Sequence, residues 1–228
     1  MKNETLEKER TITTKNEKSN PSACKKKVGY LVAKRIFDFV LALFALVICI
    51  IPIIIIAIVI KIDSKGPVLY SHHRIGKNGK DLPLLKFRSM YINAEEMIDD
   101  FSPEQKKEWE SNFKLKDDPR ITRVGQFLRK SSLDELPQLI NILKGELSIV
   151  GPRPVVQEEL EKYGENKDSF LSVTPGLTGY WQAYARSTCT YEQRMEMELW
   201  YVENANLGLD IKIVFATFGA VLRGRGAV

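Results

Sequence analysis

Two adjacent carboxylates in the segment SSLDELPQL are the strongest candidates for chemistry in this chain. They are Asp134 and Glu135, and Pro137 follows two residues later. Proline is tolerated in the first turn of a helix but not deeper, because it has no N–H and clashes with the preceding turn. We therefore expect a helix that begins with Asp134, or with one of the next two residues, as its cap. Both carboxylates would then lie at the positive end of the helix dipole.

An ordinary helix start would explain the same pattern without any catalysis. Ser132 and Glu135 have the spacing of a capping box, in which each side chain binds a free backbone N–H of the first turn. Pro137 argues against a Ser132 cap, because the proline would then lie beyond the first turn. The pattern alone therefore leaves both the structural and the catalytic interpretation open.

Cationic side chains near the two carboxylates favour phosphate chemistry. Arg129 and Lys130 come just before them, and Arg153 follows in the segment GPRP. A carboxylate can hold Mg²⁺ or attack phosphorus, and arginine binds phosphate oxygens in a planar fork. The chain has only two histidines, adjacent at His72 and His73, and we interpret them as alternating strand residues.

The overall composition points to an anionic partner and a reducing compartment. The chain has 228 residues and a formal net charge of +5, which fits nucleic acid, an acidic membrane surface or a phosphorylated substrate. Its 3 cysteines are widely spaced and odd in number. This pattern excludes a disulfide framework, and the adjacent histidines exclude a typical zinc site.

One apolar segment is long enough to span a membrane. It runs from Ile36 to Ile60, with Asp38 as its one charged residue and Pro52 inside it. Both flanks are basic, with Lys34 and Arg35 before the segment and Lys61 and Lys65 after it. The positive-inside rule therefore predicts no orientation for a single span. Two topologies remain, namely a proline-broken helix that enters and leaves on the same face, and a kinked single span.

The chain divides into three predicted parts. Residues 1–30 are polar and predict a disordered tail. Residues 31–62 predict a re-entrant membrane segment of helix, break and helix, and residues 63–228 predict a soluble catalytic domain. A hairpin-type turn at 76–79 lies between two short strands, whereas most of the remaining pattern is helical. The expected fold class is α+β, mainly helical with a small β-hairpin.

Several long motifs resemble one protein family. They are KRIFDF, the proline-broken apolar segment, GPVLYSHHRIGKNGK, LLKFRSM, DPRITRVGQFLRKSSLDELPQLINILKGELSIVGPRP and TPGLTGYWQ. Together they are similar to the bacterial sugar transferases, the monotopic polyprenyl-phosphate phosphoglycosyl transferases, in their short form. The resemblance covers the chain from about Lys34 to its end. It favours the re-entrant topology and implies a bacterial inner membrane location with the catalytic domain on the cytoplasmic face.

The resemblance also implies a reaction and its participants. A UDP-sugar donates sugar-1-phosphate to undecaprenyl phosphate and UMP is released, with Mg²⁺ as cofactor. Asp134 would be the nucleophile that forms a covalent intermediate, and Glu135 would assist through the metal or a proton. Both residues would be metal ligands. The implied partners are the UDP-sugar, undecaprenyl phosphate and inner-membrane lipids, with no nucleic acid, and a homodimer is left open.

The resemblance assigns substrate-binding roles to five basic residues. Arg129 would hold the lipid phosphate, and donor or acceptor phosphates would be bound by Lys86, Arg88 and Arg153. Arg186 is retained from a motif that is otherwise changed to AYARSTC. The usual Gln-Glu-Arg before the first glycine turn reads HHR here, and an expected Asp-Leu-Tyr-Tyr reads ELWY. The changes in the C-terminal half fall where the resemblance places sugar choice, so the identity of the sugar stays open. A non-catalytic membrane scaffold and a hydrolase of lipid-linked phosphates are the competing functions.

Overall fold

A long N-terminal helix, a β-hairpin and a group of shorter helices make up the fold. The computed structural model describes residues 21–112, 115, 117–185 and 189–222. Helix α1 spans Pro21–Asp63, and strands β1 (Leu69–Ile75) and β2 (Asp81–Phe87) pair antiparallel. The remaining elements are α2 (Pro103–Asn112), α3 (Arg123–Ser131), α4 (Gln138–Lys144), β3 (Ser148–Val150), α5 (Gln157–Glu161), α6 (Lys167–Leu171), β4 (Gly176–Thr178), α7 (Tyr180–Tyr184), α8 (Tyr191–Asn204) and α9 (Leu207–Leu222). Strands β3 and β4 pair in parallel. The predicted α+β class with one hairpin is confirmed.

Helix α1 begins inside the predicted disordered tail. Residues 21–30 are helical, so that part of the prediction is wrong, whereas residues 1–20 lie outside the described chain. Alanine and lysine are good helix formers, and adding a residue to a formed helix is far easier than starting one. The long apolar helix therefore extends backwards through the lysine-rich segment that precedes it.

The predicted membrane segment is one continuous helix, and its re-entrant course around Pro52 stays a prediction. Pro52 lies inside α1, and helical residues continue on both sides of it. Proline removes one backbone hydrogen bond, but local adjustments and neighbouring elements make this tolerable in membrane helices. In this protein both halves of the helix are held by packing, since Ala42 and Ile60 on either side of the proline are buried in the core.

The N-terminal half of α1 is fixed to the domain by buried charges. The Lys34 ammonium lies 3.0 Å from Asp210 of α9 and 4.0 Å from Asp38. Asp38 in turn accepts a hydrogen bond of 3.0 Å from the backbone N–H of Ile149 in β3. Lys34 and Asp38 are four residues apart, a spacing that by itself predicts a local ion pair on one face of a helix. The structure contains this pair at 4.0 Å, and each residue also has a nearer partner in the domain.

The C-terminal half of α1 contacts the same domain. Ile60 packs with Phe87 of β2 and Leu128 of α3, and the Arg88 guanidinium donates a hydrogen bond of 2.7 Å to the carbonyl of Ser64. A helix that crossed a bilayer would carry one end away from the domain. Contacts at both ends therefore favour a topology in which α1 enters and leaves on the side of the domain.

The outer surface of α1 is apolar. Among the described residues, one helix, Val28–Asp63, is long and apolar enough to cross a membrane. Ile51 is 67% exposed and Ile62 is 80% exposed, and Phe215 and Phe218 of α9 add two exposed aromatic rings. Soluble proteins rarely leave so large an apolar surface uncovered. The chain is therefore that of a membrane-associated protein.

Cysteine labelling tests the topology of α1. We expect Gly29→Cys and Lys65→Cys, each in a chain whose native cysteines are replaced by serine, to resist an impermeant thiol reagent in intact spheroplasts. Both should react once the membrane is permeabilised, because both positions are exposed and we expect both to face the cytoplasm together with the domain. Labelling of one position alone in intact spheroplasts would mean a true span. Pro52→Leu removes the proline and should move part of the population towards that span.

Candidate active site

The backbone around the two carboxylates differs from the predicted helix start. Helix α3 ends at Ser132, whose φ of 58° and ψ of 17° place it in the left-handed region. Leu133–Glu135 then form a 3-10 turn, and α4 begins only at Gln138, with Pro137 in the cap position. The prediction that Asp134 or one of the next two residues caps the helix is therefore wrong.

The left-handed conformation of Ser132 explains why α4 begins later than predicted. A non-glycine residue at positive φ is unfavourable, and such residues cluster at functional sites. Ser132 turns the chain sharply at the end of α3, and Asp134 and Glu135 follow in a separate tight turn. As the sequence indicated, Ser132 makes no side-chain capping bond. Pro137 lies just before the helix, where its missing N–H costs nothing.

Lys86 of β2 bridges the two carboxylates. Its ammonium lies 2.8 Å from Glu135 Oε1 and 3.8 Å from Asp134 Oδ2. Asp134 is only 8% exposed, whereas Glu135 and Lys86 are partly open to solvent. The lysine lies far from the carboxylates in the sequence, and the hairpin brings it to them. This places three of the predicted site residues in one cluster.

Burial and neighbouring charges act on Asp134 in opposite directions. Burial raises the pKa of the Asp134 carboxyl above its ordinary value, and the negative charge of Glu135 acts in the same sense. The positive charges of Lys86 and Arg129 lower the pKa. A buried carboxylate whose negative charge is favoured by adjacent cations has lost part of its hydration, which suits a nucleophile.

Arg129 presents a guanidinium beside the carboxylates. It lies in the last turn of α3, and its Nε donates a hydrogen bond of 2.9 Å to Ser89 Oγ. Within the described ranges, its two terminal nitrogens donate no hydrogen bond to the protein. The end of the guanidinium is therefore available to a ligand, and its planar shape fits a phosphate.

Asn141 of α4 fixes the hairpin to the helix that follows the carboxylates. Its side chain, 1% exposed, accepts a bond of 3.0 Å from the backbone N–H of Leu85 and donates one of 3.0 Å to the carbonyl of Pro83. Both partners belong to β2, which also carries Lys86. The asparagine therefore sets the position of the lysine relative to the dyad.

Sequence reasoning missed Asn141, Ser89 and Gln138. Asn141 could have been noticed as a polar residue among the apolar positions of QLINIL, because a buried amide needs specific partners. Gln138 is 3% exposed, and its amide Nε2 is buried with no hydrogen-bond partner in the described chain. It is the first residue of α4, directly after the dyad turn. Ser89, in FRSM, carries no such signal in the sequence.

For two of the five predicted basic ligands, Arg88 and Arg153, the structure shows hydrogen bonds to residues other than the dyad. The Arg88 guanidinium donates to the backbone carbonyls of Ser64 and Lys65, so in the structure it binds the C-terminal end of α1. Arg153 donates through its backbone N–H to Glu198 Oε1 at 3.0 Å. Their roles as phosphate ligands stay predictions. Arg186 lies outside the described residues.

A second polar cluster surrounds Arg153. Its members are two ion-paired arginines and their carboxylate partners: Arg74 with Glu159 at 3.2 Å, and Arg194 with Glu159 at 3.6 Å and Glu198 at 3.5 Å.

Burial, with the charges of Arg74, Lys86 and Arg153, lowers the pKa of His72 to about 4. The imidazole is therefore neutral near pH 7. The exposed His73 pairs with Asp81 across the hairpin. These contacts agree with the strand interpretation of both histidines.

The dyad fits the preferences of Mg²⁺ but makes no complete cage. Within the described residues, no group of three or more histidine, cysteine or acidic side chains could hold a metal ion. Mg²⁺ commonly uses one or two carboxylates, several waters and substrate phosphates. Asp134 and Glu135 supply such a pair, so the residues present fit an ion that arrives with a diphosphate substrate.

Lys86→Met should change the pH dependence of any reaction that uses ionised Asp134. The lysine lowers the pKa of Asp134, so its removal raises that pKa. Activity rises with pH as the carboxyl ionises, so the acidic limb of the kcat/KM profile should move to higher pH. Lys80→Met, at an exposed lysine of the hairpin turn, is the matched control and should leave the limb in place. An unmoved limb in Lys86→Met would mean that Asp134 does not set it.

Comparisons with known proteins identify the family of this chain. The family model described as bacterial sugar transferase matches residues 29–224. The chain is 47% identical over 197 residues to an undecaprenyl-phosphate galactose phosphotransferase of Salmonella typhimurium, and 45% identical over 197 residues to a UDP-galactose-lipid carrier transferase of Erwinia amylovora. Each alignment covers 85% of this chain but only 41% of the relative.

A shorter relative matches along most of its length. The exopolysaccharide production protein ExoY of Sinorhizobium fredii is 44% identical over 200 residues, which is 86% of this chain and 88% of that protein. The family match covers α1, the hairpin, the dyad turn and the C-terminal helices. The chain belongs to the bacterial sugar transferase family.

Proposed function

We propose that this protein is a phosphoglycosyl transferase that moves sugar-1-phosphate from a UDP-sugar to undecaprenyl phosphate. The observation that carries this proposal is the buried Asp134, which has Glu135 and Lys86 beside it and the free end of Arg129 nearby. A nucleophile, a metal-binding carboxylate and two cations are the groups that phosphoryl transfer needs. Relatives named for undecaprenyl-phosphate and UDP-galactose chemistry support the same reaction class.

The transfer takes place in two displacements at one phosphorus atom. In the first, an Asp134 carboxylate oxygen forms a bond to the β-phosphorus of the donor, and the bond from this phosphorus to the bridging oxygen breaks. UMP leaves with the electron pair. In the second, an oxygen of the lipid phosphate attacks the same phosphorus, and the Asp134 carboxylate leaves. The sugar keeps its bond to phosphate throughout.

The neighbouring side chains serve these steps by orientation and charge. Lys86 keeps Asp134 ionised and holds Glu135 beside it, while the terminal nitrogens of Arg129 bind the oxygens of the incoming lipid phosphate. Asp134 and Glu135 would hold Mg²⁺, which supplies charge neutralisation to a diphosphate substrate. The buried setting strengthens each of these electrostatic contacts.

The membrane contacts fit a lipid-linked acceptor. The exposed apolar face of α1 lies in the bilayer of the bacterial inner membrane, with the domain on the cytoplasmic face. Undecaprenyl phosphate would then present its head group at the level of the domain.

Release of UMP tests this function against its two alternatives. Membranes or purified protein with Mg²⁺ should release UMP over many turnovers only when a UDP-sugar and undecaprenyl phosphate are both present. UDP-galactose is the first donor to test because of the names of the relatives, followed by other UDP-hexoses. A scaffold would release none with any donor. A hydrolase would release product from a lipid-linked phosphate without an acceptor.

A further inference from the structure

Two consecutive residues at the end of β2 connect the membrane helix with Arg129. The Arg88 guanidinium binds the C-terminal end of α1 through the carbonyls of Ser64 and Lys65. Ser89, the next residue, accepts the Nε–H of Arg129 at 2.9 Å. The end of the membrane helix and the guanidinium beside the dyad are thus joined through one short segment of backbone.

Ser89 itself is held firmly against α3. Its side chain is buried, and its carbonyl accepts a hydrogen bond of 3.1 Å from the backbone N–H of Thr122, the N-cap of that helix. A Cβ on Gly125 would lie 2.0 Å from the Ser89 carbonyl oxygen, so only glycine permits this approach. The serine hydroxyl therefore has a fixed position relative to Arg129.

The single bond from Ser89 orients the whole guanidinium. An arginine side chain is long and loses considerable rotamer freedom when it is held in place. Because the Nε–H is bound and the guanidinium is planar, the orientation of its two terminal nitrogens is restricted before any ligand arrives. These nitrogens have no hydrogen-bond partner in the part of the chain that the structure describes.

We propose that Ser89 is a positioning residue that holds Arg129 ready for the phosphate of the lipid acceptor. This inference rests on the proposed function and adds a residue to it that does not touch the substrate. Arg129 binds the phosphate monoester, and Ser89 acts only through Arg129. The segment Arg88–Ser89 also fixes this phosphate site relative to the end of the membrane helix, where the head group of the acceptor lies.

Ser89→Ala tests the proposal through the two substrates separately. Loss of one hydrogen bond to a charged group should raise the KM for undecaprenyl phosphate about tenfold. The KM for the UDP-sugar and the release of UMP in the first step should stay as in the wild type, because Arg129 serves the acceptor. Ser89→Thr keeps the hydroxyl and should retain most of the wild-type KM. Ser131→Ala is the matched control, because that hydroxyl bonds only to backbone carbonyls of α3.

A double-mutant cycle shows whether Ser89 acts through Arg129. In an Arg129→Ala background, Ser89→Ala should have no further effect on kcat/KM for the acceptor, because its target is gone. An equal loss in both backgrounds would overturn the proposal, and so would wild-type kinetics in Ser89→Ala. A wild-type protein that releases no UMP with any donor would instead refute the proposed function.

Discussion

Asp134→Asn is expected to lower transfer by at least about a thousandfold while the protein still folds and reaches the membrane. An amide cannot supply the negative oxygen that attacks phosphorus, and it cannot be activated by Lys86. The substitution keeps the shape of the side chain, and Lys86 keeps its shorter contact with Glu135, at 2.8 Å. Steady-state release of UMP measures the loss, and thermal unfolding in detergent measures the fold.

A matched control shows whether the loss of turnover is specific to Asp134 or follows from any aspartate-to-asparagine change. Asp168→Asn makes the same chemical change on α6, at an exposed position remote in sequence from the dyad, and should leave turnover unchanged. Glu135→Gln should reduce turnover but leave some transfer, since Asp134 remains. Turnover like that of the wild type in Asp134→Asn would refute the assignment of the nucleophile.

The sequence predicted the dyad but not the shape of the chain that carries it. Pro137 correctly excluded Ser132 as a helix cap and indicated a helix directly after the dyad. The observed cap, Pro137, lies three residues after the earliest predicted cap, Asp134, because Ser132 is left-handed and a 3-10 turn intervenes. Serine does not typically adopt this conformation, so no local sequence pattern predicts a left-handed residue at position 132.

Contacts between segments that are distant in the sequence could be predicted only through the family resemblance, and some could not be predicted at all. Lys86 was assigned to the site by its motif, and in the structure it lies beside Glu135, while its role as a phosphate ligand stays a prediction. Arg88 was assigned by the same reasoning, but its neighbours in space are the carbonyls at the end of α1. Residue type and motif cannot distinguish these two cations, because the difference depends on Arg88 lying just beyond the end of β2, within reach of the carbonyls of Ser64 and Lys65.

The membrane segment illustrates the same limit. Composition identified the apolar helix and its basic flanks, and Pro52 suggested a break. The buried pair of Lys34 with Asp210 links residues at opposite ends of the chain, and no pattern within α1 could indicate it. That pair, together with the packing of Ile60, favours placing both ends on one side of the membrane.

A covalent intermediate should accumulate when the donor is supplied without the acceptor. With UDP-[³²P-β]sugar and Mg²⁺, we expect label on the wild-type protein and a burst of one UMP per active site. Asp134→Asn should stay unlabelled. The label should be lost on adding undecaprenyl phosphate or hydroxylamine, because an acyl phosphate is attacked readily by both. EDTA should prevent labelling, and excess Mg²⁺ should restore it, since two adjacent carboxylates repel a diphosphate unless its charge is neutralised.

The kinetic pattern provides an independent test of the order of events. If UMP leaves before the acceptor binds, double-reciprocal plots at several acceptor concentrations should be parallel, as in a ping-pong mechanism. Glu135→Gln should still form some labelled protein, because the attacking oxygen belongs to Asp134. Intersecting lines with no trapped label would instead mean that the lipid phosphate attacks the donor directly. Asp134 would then act with Glu135 as a metal ligand, and the loss of activity in Asp134→Asn would reflect weaker binding of Mg²⁺.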